Sequence, residues 1–221
     1  MKSTPERVTF IGLGRFGSSV ARTLFEQGYE VTAIDTNEQI VAEAADYVTL
    51  AAQGNGADEE LLRSIAVDRS HFGIVAQGEN LEASALSTLV LKRLQVPWVV
   101  ARATNDLHGE LLRRVGANLV VFPERDAGVR LGHSLSVHAA IDYIPLSTTS
   151  GIAKLTAPAH FVGVQLDKLC AGLESLEVLL IKRGAAVITH PSPGETIRAG
   201  DALVVVGLDK TIDEFAEPDR Q

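Results

Sequence analysis

Six short runs of apolar, largely β-branched residues alternate with stretches of helical length over the first two thirds of the chain. The runs lie at residues 7–11, 30–34, 47–51, 72–76, 98–102 and 119–122. Such runs are typical of parallel strands buried between helices, and strands that alternate with helices form βαβ units. The sequence therefore predicts an α/β fold with a doubly wound parallel sheet.

The stretches between these runs carry helix start and stop signals. Residues 16–27, 38–45, 58–65, 81–94 and 106–115 are predicted helices. Asn80 and Asn105 precede the fourth and fifth of them as N-caps, and Gly28 follows the first as a C-terminal cap. Residues 124–141 follow the sixth strand with a helical apolar pattern, and we expect a connecting helix there.

The residue composition of the sequence changes after Tyr143. Pro145, a Ser/Thr cluster and Gly151 indicate a boundary or linker, and residues 152–156, 176–182, 186–189 and 202–206 then read as short strands separated by turns. We expect a first domain over residues 1–142, ending with the connecting helix, and a small α+β domain over residues 143–221.

Composition excludes several classes of protein. The chain of 221 residues carries 20 Lys and Arg against 28 Asp and Glu, a net charge of -8 without a basic block, so a nucleic-acid partner is not expected. The charged start MKSTPERVTF is unlike a signal peptide, and no apolar run approaches the roughly 20 residues that span a bilayer. We expect a cytoplasmic protein whose role at a membrane comes through a partner.

The sequence GLGRFG at residues 12–17 directly follows the first predicted strand and opens the first helix. Gly12 permits a tight turn, Gly14 lets the backbone approach a phosphate, and Gly17 lets the helix pack closely on the strand. Asp35 ends the second strand, roughly 20 residues further on, where a carboxylate hydrogen-bonds the ribose of adenosine and repels a 2′-phosphate. This combination predicts a Rossmann-like site for ATP, ADP or NAD(H) in preference to NADP(H).

Two residues near this motif allow alternative interpretations. Arg15 places a positive charge inside the glycine turn, which suits additional phosphate charge, but it also fits a solvent-facing arginine at a helix start. Asn37 fits a ribose contact and a helix N-cap equally well. The candidate nucleotide-binding residues are Gly12, Gly14, Arg15, Phe16, Gly17, Asp35, Thr36 and Asn37.

An NAD(H)-dependent oxidoreductase or an NAD(H)-sensing protein is the alternative function, because the same half-domain carries NAD in many enzymes. Hydride transfer to a carbonyl needs a positioned acid or base. The histidines and lysines of the C-terminal part, such as His160, His190 and Lys168, are scattered without a supporting carboxylate at a recognisable spacing. We therefore expect a binding protein with no catalytic residue rather than an enzyme.

Several segments together resemble the RCK (KTN) regulatory subunits of bacterial potassium uptake systems, of the KtrA and TrkA types. They are GLGRFG at residues 12–17, DTN at 35–37, LEAS at 81–84 and FPERD at 122–126. GETIRAGDALVVVG at residues 194–207 resembles the closing segment of the C-terminal domain in that family. A single glycine motif and a single small domain make the KtrA type the better match than the two-repeat TrkA type.

The resemblance implies an octameric gating ring, built from dimers, beneath a dimeric KtrB-like membrane subunit that translocates potassium. It implies that ATP favours the activated ring and ADP the inactive one, and that Arg15 reaches the terminal phosphate across the dimer interface. It also implies that Glu124 contributes to a Mg²⁺ or Ca²⁺ site between subunits. By itself, Glu124 also fits a first-turn acid that complements the helix dipole.

The family's C-terminal domain can also bind cyclic di-AMP. In this chain Leu169 and Cys170 stand where relatives often place an arginine, within residues 161–172. His190, Pro191 and Pro193 fit either the lining of such a pocket or simple turn residues. The sequence leaves cyclic di-AMP open.

Overall fold

The computed structural model describes residues 6–136 and 140–216. The chain divides into two compact units, and the division falls between Glu124 and Arg125. Within the described residues, no helix combines the length and the apolar character needed to cross a membrane.

The first unit is built on a six-stranded sheet in which every pair of neighbouring strands is parallel, in the order β3-β2-β1-β4-β5-β6. The strands are β1 (Arg7–Ile11), β2 (Glu30–Asp35), β3 (Leu50–Gln53), β4 (Phe72–Val75), β5 (Trp98–Arg102) and β6 (Leu119–Val121). The helices between them are α1 (Arg15–Glu26), α2 (Glu38–Ala44), α3 (Glu59–Ser64), α4 (Leu81–Arg93) and α5 (Asp106–Val115), with a short 3-10 turn at Val67–Arg69.

This strand order confirms the predicted doubly wound sheet. The order reverses between β1 and β4, so the connections that leave these two strands run to opposite sides and leave a crevice at their carboxyl ends. The central strands are apolar on both faces, and Phe10, Ile11 and Ile34 are fully buried. The sheet is therefore the rigid support for whatever lies at its carboxyl edge.

Side-chain caps set where most of these helices begin. Asn80 and Asn105 accept hydrogen bonds from backbone N–H groups in the first turns of α4 and α5, as predicted, and Asn37 and Asp58 do the same for α2 and α3. α1 differs, because its N-cap is Gly14, which has no side chain to satisfy the first N–H groups.

The third predicted strand is displaced along the chain. We expected it at residues 47–51, but β3 spans Leu50–Gln53. Tyr47 and Val48 are buried as predicted, yet they lie in the turn before the strand, and the pairing with β2 begins only at Thr32 and Leu50. Within this apolar run the buried residues and the paired residues are therefore different ones, because Leu50 and Ala51 pair with β2 without being buried.

The second unit begins with α6 (Pro123–Ser136), whose first two residues still belong to the first unit. Its five-stranded antiparallel sheet has the order β10-β9-β11-β8-β7. The remaining elements are β7 (Ala140–Pro145), β8 (Ser150–Thr156), α7 (Leu166–Leu169), β9 (Leu176–Arg183), β10 (Ala186–Thr189), β11 (Ala202–Leu208) and α8 (Asp209–Ala216), with a 3-10 turn at Ala159–Phe161. This is the expected small α+β domain.

The segment that we expected to be a linker is a β-hairpin. β7 pairs with β8, and the backbone N–H of Leu146 donates to the carbonyl of Ser150 across the turn. A Cβ at Gly151 would collide with the ring of Tyr143, so the glycine lets a fully buried tyrosine cross the strand. The predicted boundary between residues 142 and 143 therefore falls inside a strand.

The connecting helix is also shorter than the predicted 124–141. The helix α6 ends at Ser136, and Ile141 belongs to β7, while residues 137–139 lie outside the described part of the chain. Ala140 and Ile141, which end the predicted helix, therefore lie in a strand instead of on a helical face.

A buried ion pair fixes the last turn of the second unit. Asp201 is fully buried and accepts two hydrogen bonds from the guanidinium of Arg183, while the backbone N–H of Arg198 donates to the same carboxylate. The hydrogen bonds from Arg183 lower the pKa of Asp201. Arg183 also pairs with Glu195 at 3.0 Å, so the segment before β11 is attached to β9.

Candidate nucleotide-binding site

The glycine turn joins β1 to α1 at the crevice. Gly12 has φ +93°, a left-handed conformation that favours glycine, and its N–H donates to the carbonyl of Ile34 at 2.8 Å. A Cβ at Gly17 would collide with the carbonyl oxygen of Gly12. These two glycines therefore serve the close packing of the turn, as predicted.

Gly14 has a different role. A Cβ built there meets nothing within 4 Å, so no protein contact requires a glycine at this position. The first turn of α1 contains no acidic residue and no side-chain cap, which leaves its N–H groups and its positive dipole end facing the cleft. The backbone here is open to an anion.

A cleft of about 1320 Å³ lies over this turn, at the carboxyl ends of the central strands. Six of the predicted nucleotide-binding residues line it, together with the predicted metal ligand and a set of residues that we did not predict. The predicted ones are Gly12, Gly14, Arg15, Phe16, Asp35, Thr36 and Glu124, and the others include Leu13, Tyr47, Gln77, Gly78, Asn80 and Arg102. Gly17 lies behind the turn.

Asp35 stands at the end of β2, beside the turn. Its Oδ2 accepts a hydrogen bond of 2.7 Å from the backbone N–H of Leu13, and its Oδ1 accepts one of 2.9 Å from the N–H of Asn37. Each carboxylate oxygen has a second lone pair, so both can also accept from a ribose hydroxyl in the cleft. The position agrees with the predicted ribose contact.

Asn37 acts as a helix cap. Its Oδ1 accepts from the N–H groups of Gln39 and Ile40 at the start of α2. Among the described residues around the cleft, Asn37 is not one that lines it. The structure thus favours the capping interpretation over the ribose contact, while Thr36 beside it does line the cleft.

Arg15 is exposed and lines the cleft from the start of α1. No hydrogen bond or ion pair joins it to another residue in the described part of the chain. The pKa of Glu124 is lowered mainly by a hydrogen bond from Arg102, and the positive charge of Arg15 adds a smaller contribution. Arg15 is therefore placed to interact with a charged group that the chain itself does not supply.

Arg102 and Glu124, which both line the cleft, form an ion pair. Nη2 of Arg102 donates to Oε1 of Glu124 at 2.6 Å, and this hydrogen bond is the main cause of the lowered pKa of Glu124. Sequence reasoning missed Arg102 because it closes the apolar run WVVAR and was read only as the end of a strand. The available signal was a charged residue at the carboxyl end of a predicted parallel strand.

A buried polar network lies close to Arg102. His108 of α5 is almost fully buried, and its Nε2 lies 2.7 Å from Oγ of Ser84 in the first turn of α4. Burial and the nearby charge of Arg102 lower the pKa of His108, so the imidazole is neutral. Because the N–H of Thr104 faces Nδ1, the proton is assigned to Nε2, which donates to Ser84.

A smaller cavity of about 300 Å³ lies in the second unit. Its lining brings together His190, Pro191 and Pro193, which the sequence offered as the lining of a second ligand pocket, and Cys170, which stands where relatives often place an arginine. Burial raises the pKa of the Cys170 thiol. Among the described residues, no group of three or more His, Cys, Asp or Glu side chains is arranged to hold a metal ion.

The chain matches two described domains and several curated proteins. Residues 8–123 match the TrkA-N domain, and residues 152–218 match the TrkA-C domain. The Ktr system potassium uptake protein C of Bacillus subtilis (strain 168) is 37% identical over 206 residues, 93% of either chain. Protein A of the same system in Vibrio alginolyticus is 32% identical over 208 residues, 94% of either chain.

Solved structures share the fold. The RCK domain of GsuK has a TM-score of 0.63 with 19% identity and covers 98% of this chain. The GsuK channel bound to NAD has a TM-score of 0.62 with 20% identity and covers the whole chain. This chain spans 48% and 41% of those two chains, respectively.

The sheet order, the glycine turn and the acid at the end of β2 define a Rossmann-like nucleotide-binding protein. With both domains matched, the chain belongs to the TrkA-N/TrkA-C (RCK) family, and within it to the Ktr type of potassium uptake protein. This confirms the expectation of a regulatory protein of potassium transport rather than an enzyme.

Proposed function

We propose that this chain is the cytoplasmic regulatory subunit of a potassium uptake system, and that it senses ATP and ADP in the cleft. The observation that carries the proposal is the open glycine turn, where Gly14 exposes backbone N–H groups beside the cation of Arg15, which has no ion-pair partner among the described residues. Asp35 supplies the ribose acceptor of the same ligand.

The number of phosphates on the bound nucleotide, three in ATP and two in ADP, is the signal to which the subunit responds. A ligand shifts a conformational equilibrium only when it binds the two states with different affinities. Arg15 is exposed, and we propose that it reaches the terminal phosphate of a nucleotide held by a neighbouring copy. ATP then stabilises a subunit arrangement that ADP does not.

The subunits assemble as dimers and then as an octameric ring beneath a dimeric, KtrB-like membrane subunit, at the inner face of the membrane. Exposed apolar side chains support self-association, since large patches of this kind mark interaction surfaces. They include Leu86 and Leu89 on α4 and Val129, Leu131 and Leu135 on α6.

A divalent cation, Mg²⁺ or Ca²⁺, fits this site only in part. Glu124 offers a hard oxygen donor that is largely exposed beside the cleft, which suits either ion. One of its oxygens is paired with Arg102, and among the described residues no group of three or more His, Cys, Asp or Glu side chains is arranged to hold a metal ion. Bound there, the cation would neutralise phosphate charge, and its other ligands would come from the nucleotide and a second copy.

NAD(H) is the second candidate ligand. The cleft is large enough for a dinucleotide, and a structural neighbour, the GsuK channel, is described as bound to NAD. Asp35 faces the ribose position in either case, so NADPH is disfavoured. Cyclic di-AMP is a further candidate for the cavity beside Cys170 and His190.

The test is a calorimetric titration of the purified chain with ATP, ADP, NADH, NADPH and cyclic di-AMP, with and without Mg²⁺ or Ca²⁺. Light scattering follows the mass of the assembly in the same samples. We expect ATP and ADP to bind an octamer with distinct affinities. Tight NADH binding on a small oligomer, without competition from ATP or ADP, would replace this proposal with the NAD(H)-sensing one.

A further inference from the structure

Arg102 is held at the floor of the cleft with one of its donors unused. Its side chain is 16% exposed, against 65% for its partner Glu124. The Nε atom is buried and has no hydrogen-bond partner among the described residues. A buried donor without an acceptor costs free energy, so a polar donor left in this state beside a cleft indicates an acceptor from outside the chain.

Gly78 explains why the guanidinium stays in this position. A Cβ at Gly78 would lie 2.8 Å from Nη1 of Arg102 and 3.0 Å from its Nε, so the guanidinium rests against bare backbone. The loop that contains Gly78 connects β4 to α4 and also lines the cleft. The arginine is therefore fixed against the wall instead of extending into solvent.

We propose that Arg102 is a phosphate-binding arginine that exchanges Glu124 for the phosphate of a bound nucleotide. The planar guanidinium binds phosphate through two parallel hydrogen bonds, and a phosphate oxygen supplies the acceptor that Nε lacks. Glu124 is mostly exposed, so water solvates its carboxylate once the arginine leaves it. The proposal rests on nucleotide binding in the cleft. It adds that a bound phosphate frees the carboxylate of Glu124 from its ion pair with Arg102.

This exchange makes Glu124 and the nucleotide competitors for one cation. Replacing Glu124 by Gln releases Arg102 and strengthens nucleotide binding. Simple repulsion between Glu124 and the phosphates also predicts stronger binding, but by the same factor whether or not Arg102 is present. A double-mutant cycle over Arg102→Gln and Glu124→Gln separates the two explanations.

The experiment measures ATP affinity by calorimetry on the full chain in EDTA, so that no divalent cation contributes. We expect Arg102→Gln to weaken ATP binding about 10- to 100-fold, as for the loss of charge-assisted hydrogen bonds. Glu124→Gln should strengthen it about threefold or more in the wild-type background and leave it unchanged in the Arg102→Gln background.

The matched control is Arg7→Gln, which breaks the ion pair between Arg7 and Glu30 at the opposite edge of the same sheet. It removes one positive charge and should change ATP affinity by less than about twofold. If Arg102→Gln does not fold, the cycle is run with Arg102→Lys, which keeps the charge without the planar fork, and a reduced coupling to Glu124→Gln is expected.

The outcomes separate this inference from the proposed function. A wild-type chain that binds neither ATP nor ADP overturns both. Wild-type binding with an unchanged affinity in Arg102→Gln overturns the role of Arg102 alone. An equal gain from Glu124→Gln in both backgrounds overturns the exchange, and undiminished coupling in Arg102→Lys overturns the need for the planar fork.

Discussion

The carboxylate of Asp35 holds the glycine turn in place, because its Oδ2 accepts a hydrogen bond of 2.7 Å from the backbone N–H of Leu13. The residue that the sequence marks as a ribose ligand thus also supports the glycine turn that we propose as the phosphate site. Its second oxygen ties the start of α2 through the N–H of Asn37. One side chain connects β2, the turn and the next helix.

Asp35→Ala should therefore affect stability and ligand choice together. Loss of two hydrogen bonds to a carboxylate should lower the free energy of unfolding by about 1–3 kcal/mol. Removing the negative charge should also narrow any preference for NADH over NADPH. Urea unfolding followed by the fluorescence of Trp98, the single tryptophan, and calorimetric titration measure the two effects.

The exposed Asp46 provides the control for this substitution. Asp46→Ala removes the same charge from the same unit, and we expect a change within about 0.5 kcal/mol. An Asp35→Ala chain as stable as Asp46→Ala, with an unaltered preference between NADH and NADPH, would refute both roles of Asp35.

The substitution Arg15→Ala tests whether Arg15 distinguishes ATP from ADP by contact with the terminal phosphate. Arg15 has no partner within the described residues and lines the cleft, so its removal should not disturb the fold. We expect ATP affinity to fall about 10-fold or more, with a smaller loss for ADP, so that the ratio between the two affinities contracts. Titration with both nucleotides measures the ratio, and an unchanged ratio would contradict a role for Arg15 at the terminal phosphate.

The two glycines on either side of Arg15 should respond in opposite ways to alanine. At Gly17 a methyl group would collide with the carbonyl of Gly12, and this overpacking should cost about 1–3 kcal/mol of stability. At Gly14 the methyl group would meet no protein atom, so the chain should keep its stability and lose affinity for ATP. Trp98 fluorescence in urea and ATP titration distinguish the two variants. Equal stability of both would show that the packing role of Gly17 is wrong.

Local signals made the glycine turn and the helix starts predictable. The roles of Gly12 and Gly17 and the caps Asn80 and Asn105 depend on neighbours within a few residues, and these predictions are confirmed. The placement of Gly14 and Asp35 beside one cleft follows from the parallel sheet, because strand ends converge at one edge.

Features that depend on the pairing of particular strands could not be predicted from the sequence. The Ser/Thr-rich segment after Pro145 reads as a linker, but β7 and β8 pair around it, and only the structure brings Tyr143 over Gly151. The ion pair of Arg102 with Glu124 depends on β5 lying beside β6, which no local pattern reports. Residues that complete a site from a neighbouring strand are the part that sequence reading finds least easily.

The buried His108 makes the first unit sensitive to acid. Its pKa is lowered in the folded chain, by burial first and by Arg102 second, so below pH 6.5 the unfolded chain binds a proton that the folded chain resists. Stability contributed by the neutral imidazole is complete above pH 6.5 and is lost as the pH falls below it. Urea unfolding followed by Trp98 fluorescence at pH 7.5, 6.5 and 5.5 measures this loss.

His108→Gln removes the titrating group from this network. We expect the variant to be less stable than the wild type at pH 7.5, because the buried hydrogen bond between Nε2 of His108 and Ser84 is lost, and to show a weaker decline toward pH 5.5. His160→Gln changes an exposed histidine of the second unit and should leave the Trp98 transition unchanged at each pH. A decline of equal size in the wild type and His108→Gln would assign the acid sensitivity to other groups and exclude His108 as its source.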